Sequence, residues 1–353
     1  MCAYRSAANR LHFALSSANL LSEQRFTTPS LCDSIAKGGF SLTGSYYLCD
    51  MLAICIPVYN FDVRPLVRTL HEQIESLTAE VELILIDDHS TPHYRALTQE
   101  VSHLVQYHPL PANVGRSRVR NLFLEYTEQP YLLFLDCDSS VHYDGFVLRY
   151  LMAIVAKQPP VICGGTTYTP VRPPRERLLR WRYGRAREAI PMHVRRLRPN
   201  ASLMTNNFAI AREVLLENPF EEALQQYGHE DTLLGYRLWE QGHIIYHIGN
   251  PVQHDDLERN EDYLRKVETA VANLPTVLSL VHRPEQLYQD IKLLRAYRLL
   301  HKLGLVSVGS IGYRLLRPLL RYWLLRGTAP LWVMDGYKLG LLTVERNGSK
   351  QVD

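Results

Sequence analysis

Five apolar residues, Tyr131-Leu132-Leu133-Phe134-Leu135, run directly into two carboxylates spaced Asp-x-Asp, Asp136 and Asp138. An apolar run this short predicts a buried parallel strand, and ligands in open α/β sheets bind beyond the carboxyl ends of such strands. Two carboxylates two residues apart at a strand end can turn toward one hard divalent cation, which takes oxygen ligands and bridges to substrate phosphates. The plain structural alternative is an acidic pair in a polar turn that caps the next helix.

Three further groups could do chemistry. Asp87-Asp88-His89-Ser90-Thr91-Pro92 closes another apolar run, Val81-Glu82-Leu83-Ile84-Leu85-Ile86. Glu230 and Asp231 open a helical pattern continued by Leu234 and Leu238. Carboxylates at a helix start also favour the helix dipole, so their presence there has a structural reading beside the catalytic one. His254 follows Asn250-Pro251-Val252-Gln253 and places an imidazole after the apolar run Ile244 to Ile248. A lone loop histidine is most often simply solvated.

The elements that must position these groups follow from periodicity. Leu52 to Val58 predicts a strand closed by Pro57, and Leu66, Leu70, Ile74 and Leu77 recur at helical spacing after it. The run at 81–86 is the next strand, which completes a β-α-β unit. A helix is expected around residues 92 to 103, a short strand near 104 to 107, and a helix from Arg116 with Val119, Leu122, Phe123 and Tyr126 on one face. Strands alternating with amphipathic helices imply a parallel sheet with right-handed crossovers, so Asn60, Asp88 and Asp138 are expected to face one crevice. A helix to Lys157 and a strand at Val161 to Tyr168 come next. An Arg-rich stretch then runs through Arg198, either as a solvated face or as a basic rim for an anionic acceptor or a phospholipid surface.

Length and composition bound the remainder. At 353 residues with a net charge of +3, the chain can hold one large or two ordinary domains, and its charge does not imply nucleic acid. Six cysteines form no CxxC pair, which predicts reduced thiols and a cytoplasmic protein. No stretch reaches the roughly 18 to 20 apolar residues of a membrane-spanning helix. Residues 1–50 lack a sustained helix or strand period, and the first clear strand begins after Met51. We expect Met51 to be the natural start and residues 1–50 to be a disordered or non-native extension.

In order along the chain stand the Ile56-Pro57-Val58-Tyr59-Asn60 strand end, Asp87-Asp88, Asp136-Cys137-Asp138 and the Glu230-Asp231 helix start. This series resembles a family 2 glycosyltransferase of the GT-A fold, over roughly Leu52 to Leu257. Asn113-Val114-Gly115, followed by Val119-Arg120-Asn121, is similar to the family's Asn-x-Gly and Ala-Arg-Asn, with Val119 in place of alanine.

The resemblance implies a Rossmann-like, mostly parallel sheet flanked by helices, and an inverting transfer of a sugar from a nucleotide-sugar, a UDP-sugar by preference, to an acceptor hydroxyl. It implies that Pro57 and Tyr59 wall the base, that Asp88 (or Asp87) binds the uracil imide, and that Arg118 or Arg120 lies near the base or diphosphate. Asp136 would contact ribose or metal, and Asp138 would ligate Mn2+ or Mg2+ with His254 as a further ligand. Asp231 would be the general base, and Glu230 would hold a sugar hydroxyl. His229 to Leu238 also looks like the C-terminal half of galactosyltransferase-type enzymes, which leans toward a UDP-hexose or UDP-N-acetylhexosamine.

The competing class is a non-catalytic nucleotide-sugar or glycan-binding module on the same fold, against which Asp136, Asp138 and Asp231 stand together. The expected division is a glycosyltransferase domain over 51–265, with a nucleotide-binding half at 51–145 and an acceptor half at 146–265. A basic amphipathic helical region follows over 266–353. That last region carries Tyr322, Trp323 and Trp332 among many Lys and Arg, a composition suited to peripheral contact with an anionic membrane at the inner face of the cell membrane, or to packing on the domain. The acceptor would be a glycan or lipid-linked glycan.

Overall fold

The computed structural model describes residues 51–224 and 227–349, so the expectation for residues 1–50 falls outside the described residues. In chain order the first half contains β1 (Leu52–Val58), α1 (Arg64–Glu75), β2 (Val81–Asp87), α2 (Pro92–Gln99), β3 (Gln106–Pro109), α3 (Arg116–Tyr126), β4 (Tyr131–Leu135), β5 (Ser139–Ser140) and α4 (Phe146–Lys157). The chain continues through β6 (Val161–Cys163), β7 (Thr166–Tyr168), α5 (Leu178–Tyr183), α6 (Met192–Arg195), β8 (Asn207–Ala211), α7 (Arg212–Glu217), α8 (Glu230–Glu240), β9 (Tyr246–His247) and β10 (Val252–His254). Five helices close it: α9 (Asn260–Ser279), α10 (Pro284–Asp290), α11 (Lys292–Lys302), α12 (Val306–Leu325) and α13 (Leu331–Ser349).

The main sheet has the order β3-β2-β1-β4-β8-β6-β9. Its pairs are parallel except where β8 runs antiparallel between β4 and β6. The near-continuous apolar runs of β1 and β4 have a direct cause, since side chains alternate across a strand and both faces are covered. Leu52, Ile54, Ile56, Leu133 and Leu135 enter one core beneath α1 and α4, with Val67, Leu70, Phe146 and Tyr150. Ala53, Cys55, Leu132 and Phe134 enter the opposite core, with Val119 and Phe123 of α3 and Leu215 of α7. A third core gathers the C-terminal helices, and α8 ties it to the sheet: Leu233 and Tyr236 join the helices while Leu234 and Leu238 join the sheet.

The strand expected over 161–168 is two strands in two different sheets. Gly165 adopts φ +90, and a Cβ there would come within 2.7 Å of the Arg195 guanidinium. The chain bends at that glycine, and β7 pairs with β10 in a small sheet of order β5-β10-β7. This sheet has a direct consequence for the site, because the antiparallel β5–β10 pairing sets His254 opposite Ser139, one residue past Asp138.

Candidate functional site

The carboxyl ends of β1, β2 and β4 open on the same edge of the sheet. The backbone is bent sharply there. Asn60 after β1, His89 after β2 and His229 before α8 adopt φ values of 49, 65 and 73, a left-handed conformation uncommon outside glycine. Asn60 is held in its turn by the Ser90 hydroxyl, which accepts its N–H, while its own side-chain oxygen accepts from the Thr91 N–H. Tyr59 is exposed beside it, and Pro57 lies opposite Ile86 within the sheet.

The two aspartates that end β2 have separate duties. Asp87 is fully buried and accepts from the Ser90 N–H at 2.7 Å and the Tyr107 hydroxyl at 2.8 Å. Asp88 accepts from the Val114 and Gly115 N–H groups at 2.6 and 3.1 Å, so its carboxylate fastens the loop that begins α3. The Asn113 side chain completes the clamp by donating to the Asp88 carbonyl.

α3 then delivers its arginines by helical spacing. Arg116 and Arg120 are four residues apart and share a face, while Arg118 stands on the exposed opposite side. Arg120 is buried and donates to Asp136 Oδ1 at 2.5 Å. Arg116 reaches both acidic groups of the site: its guanidinium is 3.8 Å from Asp136 Oδ2 and 3.8 Å from Glu230 Oε1, and it lies 5.3 Å from the Tyr227 ring centroid. About half of the Arg116 side chain is open to solvent; the desolvation of its inner part opposes its charge, but Asp136 and Glu230 outweigh that and hold it firmly protonated. The resemblance implies Arg118 or Arg120 near the base or diphosphate and does not include Arg116. The i, i+4 relation to Arg120 was the available signal.

Asp138 reaches toward the small sheet. Its Oδ2 is 3.4 Å from His254 Nδ1, and its Oδ1 is buried with no hydrogen-bond partner among the described residues. The other ring nitrogen of His254, Nε2, is likewise buried without a hydrogen bond and lies 3.9 Å from Glu258. Burial would lower the His254 pKa, yet Asp138 and Glu258 outweigh it and raise the ring above its ordinary value. Glu258 is fixed in turn by Arg180 at 3.1 Å and Lys266 at 2.6 Å. Arg180 also pairs with Glu188 at 2.8 Å and lies over the rings of Tyr168 and Tyr263.

This geometry bears on a divalent cation. Asp138 Oδ1, buried without a donor, and the imidazole of His254, 3.4 Å from the neighbouring Oδ2, form a donor set that suits Mn2+ or Mg2+ once the ring gives up its proton. Asp136 differs, because Arg120 and Arg116 occupy its carboxylate. No cluster of three or more His, Cys, Asp or Glu forms a ready cage among the described residues. A cation held by Asp138 and His254 alone would take the rest of its shell from phosphate oxygens and water, the pattern usual for Mg2+-type sites.

The helix-start carboxylates are aimed by a glycine turn. Gly228 has φ +113, and a Cβ on it would lie 2.5 Å from the Ala270 Cβ of α9. The chain thus turns tightly against α9 before entering α8, and Glu230 Oε2 accepts back from the Gly228 N–H at 3.1 Å. Asp231 Oδ1 accepts from the Thr232 N–H at 2.7 Å. Burial, followed by the Glu230 charge, pushes the Asp231 carboxyl up to about 6. Asp231 also lines a groove of about 420 Å3, with Asn200, Leu203, Tyr236, Trp239 and Leu287 around it. A carboxylate with its pKa near neutrality at the edge of a groove can accept a proton from a bound hydroxyl.

The fold and this edge define an α/β protein with a charged crevice at strand carboxyl ends, bounded by paired acids and arginines. Residues 53–218 match the family model described as glycosyl transferase family 2, and this matched segment holds β1, β2 and β4 of the mostly parallel, helix-flanked sheet. The match stops before α8, so Glu230, Asp231 and His254 rest on the geometry above.

No curated protein matches the chain. Among solved structures, S. aureus TarS 1-349 in complex with UDP is 17% identical over 84% of this chain and 92% of that chain, with a TM-score of 0.44. Glucosyl-3-phosphoglycerate synthase from Mycobacterium tuberculosis, in complex with Mn2+, UDP and glucosyl-3-phosphoglycerate, is 16% identical over 72% and 85%, with a TM-score of 0.47. Mannosyltransferase PcManGT from Pyrobaculum calidifontis, in complex with GDP-Man and Mn2+, is 12% identical over 100% and 97%, with a TM-score of 0.49. Similarity at this level leaves residue roles to the geometry of this chain.

Proposed function

We propose that this chain is an inverting glycosyltransferase that moves a hexosyl-type sugar from a UDP-sugar to a hydroxyl of a glycan or lipid-linked glycan. The observation that supports this reading most directly is Arg116, whose guanidinium joins the Asp-x-Asp strand end to the Glu230 helix start across 3.8 Å on either side. Donor-side and acceptor-side acids thereby border one crevice. The leaning toward a UDP-hexose or UDP-N-acetylhexosamine rests on the resemblance of residues 229–238 alone.

In this reading residues 51–145 bind the nucleotide, 146–265 carry the acceptor side and 266–353 form the helical extension. Pro57 and exposed Tyr59 offer a flat apolar wall to the base, and Asp88 lies at the same strand edge. Arg116 and Arg120 supply positive charge near the diphosphate, with Asp136 held between them and the ribose. Asp138 and His254 would hold Mn2+ or Mg2+, which when bound stabilises charge on a departing diphosphate as a Lewis acid. Asp231 takes the proton of the attacking hydroxyl, and Glu230, anchored by Gly228 and Arg116, orients a sugar hydroxyl. The groove beside Asp231 receives the acceptor, with Tyr236 and Trp239 as its aromatic wall.

The partners are therefore a nucleotide-sugar, a hydroxyl-bearing glycan and, through the C-terminal helices, an anionic membrane face on the cytoplasmic side. Release of UDP from a panel of UDP-sugars, measured with and without Mn2+, tests the reading. Turnover that needs both an acceptor and the metal supports it. Binding of UDP-sugars without turnover for any acceptor points instead to a non-catalytic binding module.

A further inference from the structure

α12 packs through one narrow side only. Ser310, Tyr313 and Leu324 are buried, and Tyr313 sits so close to Gly340 of α13 that a Cβ there would come within 2.4 Å of its ring. The opposite side carries Val308, Ile311, Leu315, Leu319 and Tyr322, spaced 3, 4, 4 and 3 residues apart, which sets them in one line along the helix. Each of these five is between 55% and 75% exposed. Leu316 and Trp323 widen the stripe, and the Trp323 ring meets that of Trp332 edge to face at 6.0 Å. Apolar surface of this extent and continuity is rare on a water-facing helix and marks a contact surface.

Charge selects the occupant. From Ile291 to Met334 the chain contains eight Lys and Arg and no Asp or Glu. Arg317 and Arg321 are turned inward onto Glu268 and Glu261 of α9, and Arg326 lies over the Tyr322 ring at 4.6 Å. With Arg317 and Arg321 neutralised, Lys292, Arg295, Arg298, Lys302 and Arg314 are exposed cations of the segment, and two copies of the chain meeting stripe to stripe would bring like charges toward one another. An anionic lipid surface offers the complementary charge together with an apolar interior for the leucines, and tryptophan and tyrosine favour its interface. No helix among the described residues is long and apolar enough to cross a membrane, so the fitting geometry is a helix lying in the plane of the surface.

We propose that the Val308–Tyr322 stripe of α12, flanked by Trp323 and Trp332, docks on an anionic phospholipid bilayer and holds the acceptor side of the site over lipid-carried substrate. The docking stands on the stripe, and the acceptor clause rests on the glycosyltransferase reading above. The carboxyl end of α12 is tied close to the metal-site residues: the Asn260 side chain donates to the carbonyls of Leu325 and Arg175 at 2.9 Å, and Asn260 lies only six residues after His254. Six residues span at most about 20 Å. The carboxyl end of the stripe therefore lies on the same side of the chain as the metal-site residues.

Co-sedimentation of the full chain with vesicles of phosphatidylcholine containing phosphatidylglycerol, and with phosphatidylcholine alone, tests this. The natural protein is expected to pellet with the anionic vesicles at low salt and far less with the neutral ones. Leu315→Glu/Leu319→Glu, on two exposed side chains, should weaken that binding about tenfold or more. Its melting temperature and its rate of UDP release with a soluble acceptor should stay unchanged. Arg314→Glu, a single reversal on an exposed residue, should move binding the same way if the double variant does not fold.

Equal pelleting of natural and variant proteins would overturn the proposal. So would a natural dimer in sedimentation velocity that the double variant turns into monomer while vesicles bind neither, because the stripe would then belong to a second copy. Vesicle binding with no transfer from any donor would sink the glycosyltransferase reading and leave the docking in place.

Discussion

At the scale of single residues, Asp231 and Arg116 carry the sharpest expectations. With its carboxyl raised to about 6, Asp231 must lose its proton to act as a base, so turnover should fall as pH drops through that value. Asp231→Asn should reduce turnover by about 10²- to 10⁴-fold in a UDP-release assay while calorimetric binding of the donor stays close to that of the natural protein. The same substitution carries a stability signature. Because the folded carboxyl holds its proton to higher pH than the unfolded one, its ionisation opposes folding above pH 4. The asparagine variant should accordingly be more stable than the natural protein at pH 7, by about 1 to 2 kcal/mol after allowance for the partial exposure of the site.

Arg116→Ala should raise the donor KM about tenfold, the loss of one charge-assisted contact, whereas Arg118→Ala should change it little. Equal effects of the two would remove Arg116 from the site. The distinction between these arginines is a matter of 3.6-residue periodicity, readable in principle once Arg120 is placed inward.

Among the elements, the turn before α8 and the small sheet decide where chemistry sits. Gly228→Ala would force a side chain into Ala270 at a backbone angle that L residues avoid, at a cost of about 1 to 3 kcal/mol. Thermal melting should show the loss, and kcat should fall with it because Glu230 and Asp231 are aimed by that turn. The strand end at 131–138 was legible because both of its determinants are local: an apolar run, and carboxylates immediately after it. The split of 161–168 into two strands was not, since a Gly-Gly pair within an apolar run shows a bend only when Asn207, Tyr150 and the Asn250 carbonyl at Gly164, and Arg195 at Gly165, are seen to need the space. His254 was a lone loop imidazole in the sequence, and only the β5–β10 pairing brings it to Asp138.

For the molecule as a whole, the C-terminal helices are joined to the site by a buried charge network rather than by apolar contact alone. Arg180 on α5 pairs with Glu188 and Glu258 and lies over Tyr263 of α9. Arg180→Met would leave Glu188 enclosed without its cation and Glu258 with Lys266 in place of two partners, and should cost about 3 to 5 kcal/mol in a denaturant titration. Burial would raise the Glu188 pKa, but Arg180 and Tyr168 outweigh it and lower the carboxyl below its usual range. Its contribution to stability is therefore complete above the unfolded value near 4.5 and is lost as pH falls through the lower folded value. The natural protein should lose stability along that acid limb, and the methionine variant should show a shallower slope there.

What the sequence determined by itself is the alternation of strands and helices, the strand-end position of Asp88, Asp136 and Asp138, and the helix-start position of Glu230 and Asp231. Each of these follows from residues within one or two turns of the chain. Tertiary structure alone decided which acids meet which bases. Arg116 lies between Asp136 and Glu230, Asp88 clasps the loop at 113–115, and Asp138 faces His254 while Asp136 faces Arg120. Those pairings depend on strand order and on two small β-pairs far apart in sequence. Coulombic and hydrogen-bond energies depend on distances of a few ångströms, and periodicity along the chain does not encode them.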